Sequence, residues 1–197
     1  MLVYLRKLSP VKHLSLKDLT LKLTMLMVLT NAARAQTVHL LSVHKVKKLS
    51  SEFVLQFKGL LKQSRPGFDC SLFHLKAYPP DRRLCVYTVL KEYLSRTKTL
   101  RNKGDDALLI SYVKPFKAVT RDTVSRWVKT VMIRAGISDS FGSHSVRAAV
   151  VSKANLSGVP LKDILERAGW SNQSTFAKFY NKKVVEDSTF DHTVLKC

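Results

Sequence analysis

The sequence predicts a mainly α-helical domain that carries a small antiparallel β-sheet, an α+β chain. Three observations predict it. Apolar residues recur at helical spacing through several stretches that open on capping residues, as at Ser15 and Thr120. Between Val43 and Tyr78 the pattern shifts to alternation, broken by Gly59 and Pro66-Gly67. The 197 residues are 45% apolar and include nine Phe, enough to build one core and too apolar for a disordered chain.

Ser15-Leu-Lys-Asp18 reads as a helix start, with Ser15 as N-cap and Asp18 at the third helical position. The helix runs to about Thr30, with Leu16, Leu19, Leu23, Leu26 and Met27 sharing a buried face. Asn31-Ala-Ala-Arg34 is a small-residue break, and AQTVHLLSV (35–43) reads as a second short helix. A strand near Lys45 to Leu49 precedes two more, EFVLQF and CSLFHLKAY, joined by KGLLKQSRPG. Pro79-Pro80 ends the sheet. LCVYTVLKEYLSRTKTLR is a helix with Leu84, Val86, Val89, Leu90 and Tyr93 on its apolar side. ALLISYV is a short strand or extended run that stops before Pro115. Thr120 caps the helix that follows, which closes at Gly136. Another starts at Gly142 or Ser143 and ends near Gly158. Pro160 suits the first position of the next, LKDILERAG, closed by Gly169. Gln173 to Tyr180 forms a last short helix.

Charge narrows the function. With 34 Lys and Arg against 14 Asp and Glu the net charge is +20. The excess is spread from Arg6 to Lys196, the footprint of a polyanion binder. Arg121, Arg126, Lys129 and Arg134 in one helix are candidate phosphate contacts. No apolar run reaches the ~20 residues of a membrane span, and the N-terminus lacks a signal-peptide core, so neither a membrane nor secretion is expected. Cys70, Cys85 and Cys197 are odd in number, far apart and without a CxxC, which points to a reducing compartment. Cys70 with His74 is half a metal site without a second pair.

The stretch from Gly142 to Tyr180 concentrates the chemistry. His144 and Arg147 stand three apart, neighbours on a helix surface. Gly169-Trp170 follows 22 to 23 residues after the arginine, and Tyr180 comes ten residues after the tryptophan. Arg147 precedes an apolar AAVV, so its helix leaves it partly buried. A buried guanidinium needs an acceptor, with Asp139, Glu166 or a phosphate as candidates.

Together these residues resemble the catalytic domain of the tyrosine recombinase (phage integrase) family. Its pattern runs His-x-x-Arg, then Gly-His or Gly-Trp, then the nucleophilic Tyr. The resemblance covers about residues 10 to 183. It implies a single catalytic domain at 1–183, with the upstream core-binding domain absent, and a C-terminal tail at 184–197. Arg34 matches the family's first active-site arginine, although Thr37 stands where most members have an acid. The family's sheet carries a hairpin lysine to the cleavage site, here Lys62, with Lys58 as runner-up. The implied reaction cuts and rejoins a DNA strand through a 3′-phosphotyrosine on Tyr180. Arg34, His144, Arg147 and Trp170 would hold the phosphate and Lys62 would protonate the leaving 5′ oxygen. No cofactor or metal is implied. Double-stranded DNA is the expected partner, with a homo-oligomer (a synaptic tetramer) assembled on it.

Ser-His-Ser-x-Arg, Gly-Trp-Ser and Ser-Thr-Phe resemble eukaryotic mobile-element recombinases of the DIRS and Crypton types. That affiliation implies the nucleus, and any other origin the cytoplasm and its nucleoid. A DNA-binding module that has lost the reaction, and a type IB topoisomerase-like enzyme, are the alternatives.

Overall fold

The computed structural model describes residues 1–59, 72–170 and Phe176. Short helix α1 (Leu2–Lys7) leads through a 3₁₀ turn at Val11–His13 to the long helix α2 (Leu16–Asn31). Ser15 caps α2 as expected, its Oγ accepting the Asp18 N–H at 3.0 Å. Every residue from Leu19 to Val28 is buried, so α2 is surrounded rather than one-faced. The polar members survive because each finds an acceptor. Thr20 and Thr24 donate to the carbonyls of Leu16 and Thr20 four residues back. The fully buried Lys22 donates to Leu8 O at 2.5 Å and Ser9 Oγ at 3.3 Å, tying α1's end to α2.

At the end of α2 the chain turns through Ala32, whose φ of 45° lies in the left-handed region that side chains disfavour. Arg34 is extended and opens helix α3 (Ala35–His39). The helix expected to reach Val43 stops at His39, and the chain becomes strand β1 (Leu41–Lys48), longer and earlier than expected. Pairing explains the switch. Val43 N–H and Leu41 O bond to Asp106 O and Leu108 N, while buried Ser42 donates to the Asp106 carboxylate.

Strands β2 (Glu52–Phe57) and β3 (Leu72–Lys76) complete an antiparallel sheet ordered β1-β2-β3. Phe53, Leu55, Phe73 and Leu75 point into the core, and Glu52, paired with Lys76, and His74 lie on the opposite face. The joining segment, with Lys62 and Cys70, lies outside the described residues.

A 3₁₀ turn at Arg82–Leu84 delays helix α4 to Val86–Thr97. The expected strand ALLISYV is reduced to two isolated bridges, Ala107 with Ser42 and Ile110 with Ala118. Thr120 caps helix α5 (Arg121–Arg134), accepting the Thr123 N–H at 3.3 Å. Helices α4 and α5 pack on α2 and close the main core. Helices α6 (His144–Leu156) and α7 (Leu161–Ala168) follow, with Pro160 just ahead of α7 and Gly169 ending it at φ 65°. They rest on a smaller cluster of Ala32, Val151, Ile164, Ala168, Trp170 and Phe176, while Val146 of α6 reaches into the main core. Among the described residues no helix is long and apolar enough to cross a membrane.

Candidate functional site

Arg147 is the fourth residue of α6 and is only 4% exposed. One terminal nitrogen donates to Ala32 O and the other to Ala168 O at 2.6 Å. Ala32 caps the end of α2 and Ala168 is the last residue of α7. Carbonyls there lack helical N–H partners and carry the negative end of the helix dipole. Two helix ends thus converge on one guanidinium. The guanidinium also lies against the Trp170 ring, whose centroid is 4.5 Å from Cζ, a cation–π distance. Two of its acceptors are carbonyl oxygens, a partner class that the sequence reading did not name beside Asp139, Glu166 and phosphate.

Arg34 stands two residues beyond Ala32, so the junction that anchors Arg147 also carries the first candidate arginine. Half-buried, Arg34 makes no side-chain hydrogen bond or ion pair among the described residues. His144 begins α6 and is exposed, whereas Arg147, one turn on, is drawn inside. Trp170 is buried in the smaller cluster. Lys58 follows β2 and is half-buried, its N–H bonded to Leu40 O at 2.7 Å. Burial first, then the nearby Lys58 ammonium, holds the His39 imidazole below its ordinary pKa. Lys62 and Tyr180 lie outside the described residues.

A cavity of about 660 Å³ opens between the sheet and α7. Arg147 and Thr37 line it, together with groups that the sequence reading missed. On the sheet side Glu52 and His74 are paired at 3.1 Å, with Lys76 beside them. On the helix side stand Asp163, Glu166 and Arg167, the last donating to Asn31 Oδ1 at 3.2 Å. Strand parity alone carried a signal for Glu52, His74 and Lys76, since it puts them on one face of the sheet. Arg167 had none.

The basic groups of α5 are engaged within the protein. Arg121 pairs with Asp122 and Arg134 with Asp18, each at 3.0 Å, and Arg126 donates to Thr123 Oγ1 at 3.1 Å. Lys129 donates to the carbonyls of Asp139 and Phe141. Among the described residues no group of three or more His, Cys, Asp or Glu is placed to hold a metal ion.

Residues 74–186 match the phage integrase family, more than half of the chain and including His144, Arg147, Trp170 and Tyr180. No curated protein matches the sequence. Among solved structures, the fold is similar to XerH site-specific recombinase bound to difH substrate in a pre-cleavage complex. The TM-score is 0.65 at 17% identity, over 88% of this chain and 45% of that one. The post-cleavage complex of XerH on a palindromic difH substrate gives 0.65 at 18% identity, over 88% and 44%. XerA recombinase gives 0.65 at 16% identity, over 98% and 60%. The chain therefore spans less than two-thirds of the length of these recombinases. At such identities the likeness establishes the fold, that of a tyrosine recombinase catalytic domain. With the family match extending over more than half of its residues, the chain belongs to the phage integrase family, the tyrosine recombinases.

Proposed function

We propose that this domain cuts and rejoins DNA strands through a 3′-phosphotyrosine on Tyr180. The observation that carries the reading is the junction of α2, α6 and α7. There Arg147 is bound to Ala32, two residues from Arg34, so arginines more than a hundred positions apart meet at one turn. Cleavage of a phosphodiester builds negative charge on its non-bridging oxygens, and forked guanidinium donors suit that charge. Arg34, which has no side-chain hydrogen bond or ion pair among the described residues, is the arm turned to substrate, and Arg147 sets the junction from behind. His144 exchanges a proton with the tyrosine, whose ordinary pKa near 10 requires activation by the cationic surround. Lys62, or Lys58 in its place, protonates the departing 5′ oxygen. The phosphotyrosine conserves the bond energy, so resealing takes no ATP.

Residues 1–183 form the catalytic domain in this reading and 184–197 a tail. Double-stranded DNA is the partner, supported by the +20 charge and by neighbours solved on DNA substrates. Assembly on DNA is as a homo-oligomer. A mobile-element recombinase of the DIRS or Crypton type, working in the nucleus, is the finer form of the proposal and rests on motif wording alone.

The test is a nicked suicide duplex that traps the covalent intermediate. Wild type should form an SDS-stable, protease-sensitive adduct, and Tyr180→Phe should form none while binding DNA equally well. An adduct in the Phe variant would assign the nucleophile elsewhere. One observation favours a second reading, a DNA-binding module that keeps the fold without the reaction: Arg147 is buried on two carbonyls and an indole. Salt-dependent binding with no adduct from wild type would select it.

A further inference from the structure

The loop between α5 and α6 builds a seat for one side chain. A Cβ added to Gly142 would stand 2.7 Å from Cε1 and 2.8 Å from Nδ1 of His144. The imidazole therefore lies directly against the Gly142 backbone, in the volume that any other residue's side chain would occupy. Backbone conformation is not the reason for glycine here, because Gly142 is absent from the positive-φ glycines of the described chain. Close approach is the reason. Gly142 O also accepts the Ser145 N–H at 3.0 Å, so the seat forms part of the first turn of α6.

The seat is fixed from α5. Lys129 sends its ammonium across to the loop and donates to Asp139 O and, at 2.7 Å, to Phe141 O, the residue before Gly142. The loop adds its own bonds, Phe141 N–H to Ser138 O at 3.2 Å and a Ser138–Ser140 hydroxyl pair at 2.9 Å. His144 itself is exposed and starts its helix, so little other packing restricts its ring. An unrestricted imidazole would spread over the staggered χ1 wells. A proton-transfer group has to stand within hydrogen-bond reach of its target.

We propose that Gly142 and Lys129 are positioning residues for His144. Glycine leaves the space in which the ring rests, and lysine holds the loop that presents that space. The inference rests on the strand-cleavage reading for what the ring does, but the seat can be measured without it.

The experiment uses the full chain with Gly142→Ala, Lys129→Met, Lys129→Arg and His144→Ala. The added methyl of Gly142→Ala meets an exposed, rotatable ring, so the variant should fold. In the DNA-free protein, two-dimensional histidine NMR should show the His144 ring resonances displaced in Gly142→Ala and Lys129→Met. Lys129→Arg should restore them, because a guanidinium also reaches two carbonyls. On the suicide duplex Gly142→Ala should cleave about 10- to 100-fold more slowly, the order of loss expected for misplacing a reacting group. Its pH profile should move towards that of His144→Ala. Unmoved resonances in both Gly142→Ala and Lys129→Met would overturn the seat, whatever the cleavage rate. Moved resonances with wild-type rate and pH profile would overturn the positioning role. Should wild type itself fail to cleave while the resonances move, the seat would stand and the strand-cleavage reading would fall.

Discussion

The Arg147 guanidinium carbon lies 4.5 Å from the centre of the Trp170 indole, with both side chains buried. The tryptophan is at once the floor under the arginine and the largest member of the smaller apolar cluster. Trp170→Ala should therefore cost about 3–5 kcal/mol of stability, the range for deleting a large buried aromatic. Urea unfolding measures it. A loss below about 1 kcal/mol would mean that the cluster stands without its ring, against the cavity cost expected.

The two candidate arginines should separate by stability and converge by chemistry. Arg147→Lys loses the planar fork that spans Ala32 O and Ala168 O, and a buried carbonyl deprived of a donor costs about 1–3 kcal/mol. Arg34→Lys removes no side-chain bond among the described residues and should stay within about 0.5 kcal/mol of wild type. Both should slow adduct formation by about 100-fold or more, the scale of one lost charge-stabilising donor. Wild-type cleavage in either variant would make that arginine structural.

Lys22 should leave a signature in alkaline solution. Burial pushes its ammonium down to about 8, with the Asp81 carboxylate pulling the other way. The unfolded chain keeps that proton to about 10.4, so between these values it binds more protons than the folded one. The penalty present below pH 8 is therefore relieved as pH rises, and stability gains. Relative to Lys22→Met, wild type should gain on the order of 3 kcal/mol between pH 8 and 10.5. A difference that is flat with pH would mean that Lys22 titrates alike in both states.

Lys62 and Lys58 differ in a test of the leaving group. A 5′-phosphorothiolate linkage departs without protonation, so it rescues loss of the general acid and of nothing else. Rescue of Lys62→Ala is expected. Rescue of Lys58→Ala in its place moves the role to the end of β2, beside His39.

The charge should show in salt dependence. Log affinity for duplex DNA should fall linearly with log salt, with a slope of about −0.9 per phosphate neutralised. Flat binding would mean that the +20 charge serves another purpose.

Local signals were legible where one residue decides. Ser15 and Thr120 each satisfy an orphan N–H of the helix they open, and EFVLQF has its strand limits at the expected residues. The α3–β1 boundary was not legible. Leu40 to Val43 suits either element, and the choice falls to Asp106 and Leu108, more than 60 residues on. The all-round burial of α2 was hidden by Thr20, Lys22 and Thr24, polar residues that bond inside the core. His144 and Arg147 could be read by spacing, but their different depths could not, because the carbonyls that draw Arg147 inward come from α2 and α7. Gly142 could be read as a helix start, and its role only from where the His144 ring lies.

The division of the interior into two clusters has a kinetic consequence. Helix α2 is anchored among α4 and α5, whereas α6 and α7 lean mainly on a cluster of six buried residues around Trp170, with Val146 of α6 in the main core. Amides in the middle of α2 should exchange with solvent only when the whole molecule unfolds. Those of α6 and α7 have a cheaper route, a local opening that parts the small cluster and takes only Val146 from the buried members of the large one. In such an opening Arg147 swings away from the Ala32 carbonyl while Arg34 stays on its own helix, so the two arginines come apart and together again without the fold being lost.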